Sequence, residues 1–231
     1  MNSTALKIGS VPAVLYGDEG SQAYLFIHGK CGYKEEAVDF AEIVCPKGWQ
    51  VLSIDLPGHG ERSSEAAAFV PWHVVPELNT VMGYARRHWA QIALRATSIG
   101  AWFSLLAFAG GALERALFVS PVLDMEHLIR NMMLWAHVDE DRLRTEREIA
   151  TDFGETLSWE YLQYAKAHPI VKWDAPTAIL YAGRDNLTSR DTAENFARGF
   201  GCSLTVVEDG EHWFHTPEQL EELDRWTQRN T

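Results

Sequence analysis

A serine, an aspartate and a histidine carry the chemistry that this sequence offers. Ser98 lies in Arg95-Ala96-Thr97-Ser98-Ile99-Gly100-Ala101. The apolar run Ile92 to Ala96 enters this stretch, and Ala101-Trp102-Phe103-Ser104-Leu105-Leu106-Ala107 leaves it with helical character. Small residues two positions before the serine (Ala96) and two after it (Gly100) suit a sharp strand-to-helix turn, where larger side chains would collide as the backbone folds back. Such a turn lifts the hydroxyl into a cleft and leaves the Ile99 N–H free to hold an oxyanion. A serine hydroxyl is a poor nucleophile near pH 7. It needs a histidine to take its proton, and the imidazole needs a carboxylate to fix its tautomer and stabilise its charged form. Asp185, in Gly183-Arg184-Asp185-Asn186, and His212, in Asp209-Gly210-Glu211-His212, can supply both, in the chain order Ser, Asp, His. Singly, each has a plainer role: a packed turn for Ser98, a turn cap for Asp185, packing against Trp213 for His212.

Other residues compete for these roles. His215 adjoins the capping box Thr216-Pro217-Glu218-Gln219 and stands away from the strand end, which makes it the weaker base. Asp191 falls within a helical stretch, and Asp209 is too near His212 in sequence to orient it. Cys31 has no base beside it and reads as a packing residue. There is no metal-ligand spacing and no glycine-rich phosphate loop, so neither a metal nor a cofactor is implied.

The elements that must position these residues alternate. Ala23–Ile27, Gln50–Ile54, Ile92–Ala96, Ala116–Val119, Thr177–Tyr181 and Ser203–Val207 are short apolar runs of the kind found in strands buried on both faces. Helical patterns separate them: one carries Ala37, Phe40, Ala41 and Val44. Another carries Leu78, Val81, Met82, Ala85 and Trp89, with Pro76 suited to its first turn. Residues Leu6 to Tyr16 suggest a marginal strand or hairpin. This rhythm predicts an α/β fold with a mostly parallel sheet covered on both faces, and ligands in such sheets bind at the carboxyl ends of the strands. Ser98, Asp185 and His212 all fall just beyond strand ends.

From about residue 122 to 173 the alternation breaks, and the segment reads as predominantly helical. No linker-like tract bounds it, so we expect a single domain over residues 1–231 with a helical cap inserted at about 122–173. Its Met and aromatic residues serve the core first, but Met132, Trp135 and Trp159, with Trp213 beside the candidate histidine, are candidates to line a substrate cleft.

On these residues the chain resembles the α/β-hydrolase superfamily, over nearly its whole length apart from the cap. The likeness rests on His28-Gly29, Asp55-Leu56-Pro57-Gly58-His59-Gly60, Ala96-Thr97-Ser98-Ile99-Gly100, Gly183-Arg184-Asp185 and Gly210-Glu211-His212. It implies the three-layer α/β-hydrolase fold, with Ser98 as nucleophile, Asp185 as acid and His212 as base. It also implies Lys30 as the second backbone oxyanion donor beside Ile99, and His28 and His59 as residues that brace the site. Ala96 departs from the family pattern, which has glycine there.

The chain has 231 residues, 46% hydrophobic and 23% charged, with a formal net charge of −12. Such a surface repels nucleic acid and anionic membranes. Met1-Asn2-Ser3-Thr4 lacks the pattern of a signal peptide, no apolar run approaches the roughly 18 residues of a bilayer span, and Cys31, Cys45 and Cys202 have no paired spacing. The expectation is a cytoplasmic, soluble serine hydrolase that cleaves carboxylic esters of small or medium acyl or aryl substrates through an acyl-enzyme. Amide, peptide or thioester cleavage would use the same chemistry, and an aminopeptidase would hold a free amine with cap carboxylates such as Glu140, Asp141, Asp152 and Glu155. A non-catalytic binding module could also occupy this fold.

Overall fold

The apolar runs lie side by side in one eight-stranded sheet. In the computed structural model, which describes residues 1–231, its strands are β1 (Ser3–Ile8), β2 (Val11–Tyr16), β3 (Gln22–Ile27), β4 (Gln50–Ile54), β5 (Gln91–Thr97), β6 (Ala116–Val119), β9 (Thr177–Ala182) and β10 (Ser203–Val207). Their order is β1-β2-β4-β3-β5-β6-β9-β10. The β1–β2 and β2–β4 pairs are antiparallel and all the others parallel. This is the mostly parallel α/β sheet expected from the sequence.

Because side chains alternate across a strand, each apolar run feeds two cores. Leu25, Ile27, Leu94, Ala96, Phe118, Ile179 and Tyr181 face one layer, built by α2 (Pro71–His88), α3 (Ile99–Phe108) and α7 (Arg190–Phe200). Tyr24, Phe26, Ala93, Leu117, Val119 and Leu180 face the other, built by α1 (Ala37–Val44) and α8 (Pro217–Asn230). Proline enters α2 earlier than anticipated. Pro71 occupies the first turn, where a missing N–H costs nothing, and Pro76 lies inside the helix. The N-terminal hairpin is fully formed, pairing Ser3 with Tyr16 through Ile8 with Val11.

The 122–173 segment contains α4 (Met125–Trp135), α5 (Glu140–Glu146) and α6 (Trp159–Ala167). It is not helical throughout. A two-stranded antiparallel hairpin, β7 (Glu148–Ala150) and β8 (Thr156–Ser158), interrupts it. Leu128, Leu143, Ile149, Leu157 and Leu162 bury into the same core as α2 and α3. No helix of the protein is long and apolar enough to cross a membrane.

Candidate active site

β5 ends at Thr97 and α3 begins at Ile99, so the chain reverses direction within Ser98. Ser98 takes φ 53° and ψ −125°, a left-handed-side conformation that costs an ordinary residue on the order of 1–3 kcal/mol. Its N–H is fixed by Val119 O at 3.0 Å, and its carbonyl accepts from Ala101 N and Val122 N at 3.1 Å each. Gly100 has to be glycine. A β-carbon there would collide with His28 O and lie 2.9 Å from Ile27 O. Ala96 is fully buried between Ile27 of β3 and Phe118 of β6, so the turn accommodates the extra methyl.

The sheet order carries β9 and β10 past β6, and their following loops bring Asp185 and His212 to Ser98. His212 Nε2 lies 2.8 Å from Ser98 Oγ, and His212 Nδ1 lies 2.8 Å from Asp185 Oδ2. With Asp185 as an ionised acceptor, Nδ1–H donates to the carboxylate and Nε2 is left to accept the serine proton, an assignment made from the hydrogen-bond pattern. The Asp185 side chain has no exposure, and its other oxygen accepts Leu187 N at 2.7 Å and Thr188 N at 3.1 Å. Those bonds hold the carboxylate rigidly toward the imidazole. The rivals lie elsewhere. His215 Nδ1 bonds to Trp213 O at 2.7 Å and its ring stacks on Trp213, Asp209 pairs with Arg184, and Asp191 sits in the first turn of α7.

The loop after β3 closes the other side of the turn. Gly29 approaches so near that a β-carbon on it would lie 3.1 Å from Ser98 Cβ. The N–H groups of Ile99, which follows Ser98, and of Lys30, which follows Gly29, donate to no backbone carbonyl. Two histidines brace this loop reciprocally. His28 Nε2 accepts Leu56 N at 3.0 Å while its Nδ1 donates to Gly29 O at 2.7 Å, and His59 Nε2 accepts Cys31 N at 3.0 Å while its Nδ1 donates to Pro57 O at 2.8 Å. Burial lowers the His28 pKa to about 4, against a smaller raising effect of its Gly29 bond, so it stays neutral. Below them Asp55, fully buried, holds Lys34 at 2.9 Å. Burial alone would raise the Asp55 pKa, but the Lys34 ammonium and the Glu61 and Lys34 N–H groups hold the carboxyl below its usual range.

Cys31 is exposed, with φ 65°, and is not the packing residue its composition suggested. The backbone turn that brings its N–H to His59 takes the side chain out of the core. Of the four residues expected near a cleft, Met132 and Trp159 are partly buried against the main core. Trp135 is 46% exposed and meets Phe153 edge-on, and Trp213 is 74% exposed. A different aromatic group joins the 122–173 segment to the core. Tyr161 of α6 stacks over Trp102 of α3 with ring centroids 5.9 Å apart and meets Trp72 of α2 at 6.0 Å. Its hydroxyl is buried without a partner. Nothing in the sequence singled out Trp72, which precedes the helical periodicity of α2. The same segment also touches the loop after β3 through an ion pair between Glu155 and Lys30.

This topology, with a strained serine between β5 and α3 and the acid and histidine after the last two strands, defines the α/β-hydrolase fold. The chain superposes on the esterase Est1E from Butyrivibrio proteoclasticus, solved with bound ferulic acid, at TM-score 0.78 and 18% identity over 98% of this chain and 96% of that one. Alpha/beta hydrolase domain-containing protein 10 from mouse gives TM-score 0.79 at 12% identity over 98% and 96%. A monoacylglycerol lipase from Paleococcus ferrophilus gives 0.67 at 14% over 96% and 100%. No protein-family profile and no curated protein matches the sequence.

Proposed function

We propose that this protein is a serine hydrolase that cleaves carboxylic esters of small-molecule acyl or aryl substrates. The observation that carries the proposal is the unbroken line from Ser98 Oγ through His212 to the buried Asp185, with both links at 2.8 Å. Ser98 Oγ attacks the ester carbonyl as its proton passes to His212 Nε2. The N–H groups of Ile99 and Lys30 stabilise the oxyanion, and Asp185 stabilises the imidazolium. Collapse of the tetrahedral intermediate breaks the bond to the alkoxy oxygen, which leaves with the proton from His212. Water, activated by His212, then attacks the acyl-serine and frees the acid.

An esterase and a lipase among the structural neighbours support ester hydrolysis, and a thioesterase domain among them keeps thioesters in the comparison. An aminopeptidase role fits less well, because three of its four candidate carboxylates already pair with cations and the fourth, Asp152, is exposed. Glu140 binds Arg130 and Lys166, Asp141 binds Arg144, and Glu155 binds Lys30. The test is hydrolysis of a p-nitrophenyl ester series set against thioesters and aminoacyl amides. We expect the highest kcat/KM on an ester and its loss in Ser98→Ala. Full activity in that variant removes the proposal.

A further inference from the structure

β5 carries a cation in the middle of the apolar sheet. Arg95 is only 5% exposed, and its guanidinium carbon lies over the rings of Phe26 and Phe40 at 5.7 and 5.9 Å. The other buried cations are neutralised. Lys34 holds Glu35, Asp55 and Glu61, and Arg62 holds Glu65 and Glu77. Arg95 has no carboxylate. Its Nη1 donates to Ala96 O and Thr97 Oγ1 at 3.1 Å each, and its Nε donates to nothing. Burial lowers its pKa to about 9, which leaves it charged at pH 7. A buried charge without a counter-charge destabilises a fold, and two aromatic faces compensate only in part.

The position of the fork gives the charge a use. Arg95 reaches toward the end of β5 and holds Thr97, the residue next to Ser98. The Thr97 methyl in turn backs the loop after β3, since a β-carbon on Gly29 would lie 3.7 Å from Thr97 Cγ2. The guanidinium therefore stands behind Thr97 at the start of the Ser98 turn, and Thr97 links it to the loop after β3.

We propose that Arg95 supports the hydrolytic site electrostatically, as a fixed positive charge behind the Ser98 turn that favours the oxyanion as it forms. The proposal rests on the hydrolase function argued above. A charge held in a low-dielectric interior acts over several ångströms without screening by salt, and it favours the transition state over the neutral ester. Its removal should therefore lower kcat and leave KM in place.

Arg95→Met keeps the side-chain length against Phe26 and Phe40, and Arg95→Gln keeps a donor for Thr97 and Ala96 without the charge. Both are compared with the unmodified protein for p-nitrophenyl acetate turnover and for inactivation by a fluorophosphonate. In the latter, Ser98 Oγ bonds to phosphorus, fluoride leaves and His212 takes the proton. We expect kcat and the inactivation rate to fall about 10-fold in both variants with KM within about twofold, and the melting temperature of the Met variant to hold or rise. A folded Met variant with kcat within twofold of the unmodified protein overturns the proposal. So does a Gln variant that restores what Met loses, because the effect then belongs to the hydrogen bonds. Should the Met variant not fold, the Gln variant decides by the same threshold. Ser98→Ala, run alongside, separates the two claims. If it retains turnover the hydrolase function fails, whereas an inactive Ser98→Ala beside a fully active Arg95→Met removes only the role of Arg95.

Discussion

Gly29 lies so close to Ser98 that there is no room for a side chain between them: a β-carbon on Gly29 would lie 3.1 Å from Ser98 Cβ and 3.4 Å from Thr97 O. That closeness ties the position of the next residue, Lys30, whose N–H is the proposed second oxyanion donor, to the Ser98 turn. In Gly29→Ala the loop has to retreat by a few tenths of an ångström, and the donor moves with it. We expect kcat on an aryl ester to fall about 10- to 100-fold, less than the about 10²- to 10³-fold loss for removing one oxyanion donor outright, because the donor is displaced and not deleted. Thermal stability should change little, and steady-state kinetics with a melting curve checks both.

The Lys30 side chain has a separate task. Its ammonium pairs with Glu155 of the cap between two partly exposed groups, and such pairs contribute about 0–1 kcal/mol. Because the proposed donor is the backbone N–H, Lys30→Met should keep kcat within about threefold while Gly29→Ala does not. A collapse of activity in Lys30→Met would move the role from backbone to side chain.

Asp185→Asn keeps an acceptor for Leu187 N and Thr188 N but no longer stabilises His212 with charge. We expect kcat to fall about 10³- to 10⁴-fold, as for the equivalent change in a serine-protease triad, at nearly unchanged stability. A drop of less than tenfold would take Asp185 out of the mechanism.

Acid should weaken the fold in two stages. The folded His28 pKa of about 4 lies below its unfolded value near 6.5. Its contribution is therefore complete above pH 6.5 and is lost as the pH falls toward 4, by about 3 kcal/mol. Below pH 4 the depressed Asp55 carboxyl takes over, and its stabilisation is lost as the pH falls through that depressed value. Urea unfolding between pH 7 and 4 should show this slope and should show it flattened in His28→Gln. An unchanged slope in the variant assigns the titration to another group.

Much of this was legible in the sequence, for physical reasons. Strands such as Ala116–Val119 are buried on both faces and so read as unbroken apolar runs, and parallel topology puts every following loop at one edge. Ser98, Asp185 and His212 were therefore placed at strand ends from spacing alone. Three-residue strands such as Glu148–Ala150 leave no periodicity, which hid the cap hairpin. Cys31 looked like a packing residue because its exposure follows from a positive φ and a tertiary bond to His59, neither of which the local sequence encodes. Arg95 was concealed inside the run Ile92 to Ala96, since only the neighbouring strand and α1 reveal that no carboxylate meets it.

The most direct measurement of the central claim is the mass of the protein after reaction with a fluorophosphonate, followed by peptide mapping. We expect one phosphonyl group, on Ser98, and none in Ser98→Ala. Labelling at another residue, or equal labelling of the Ser98→Ala protein, would contradict Ser98 as the nucleophile.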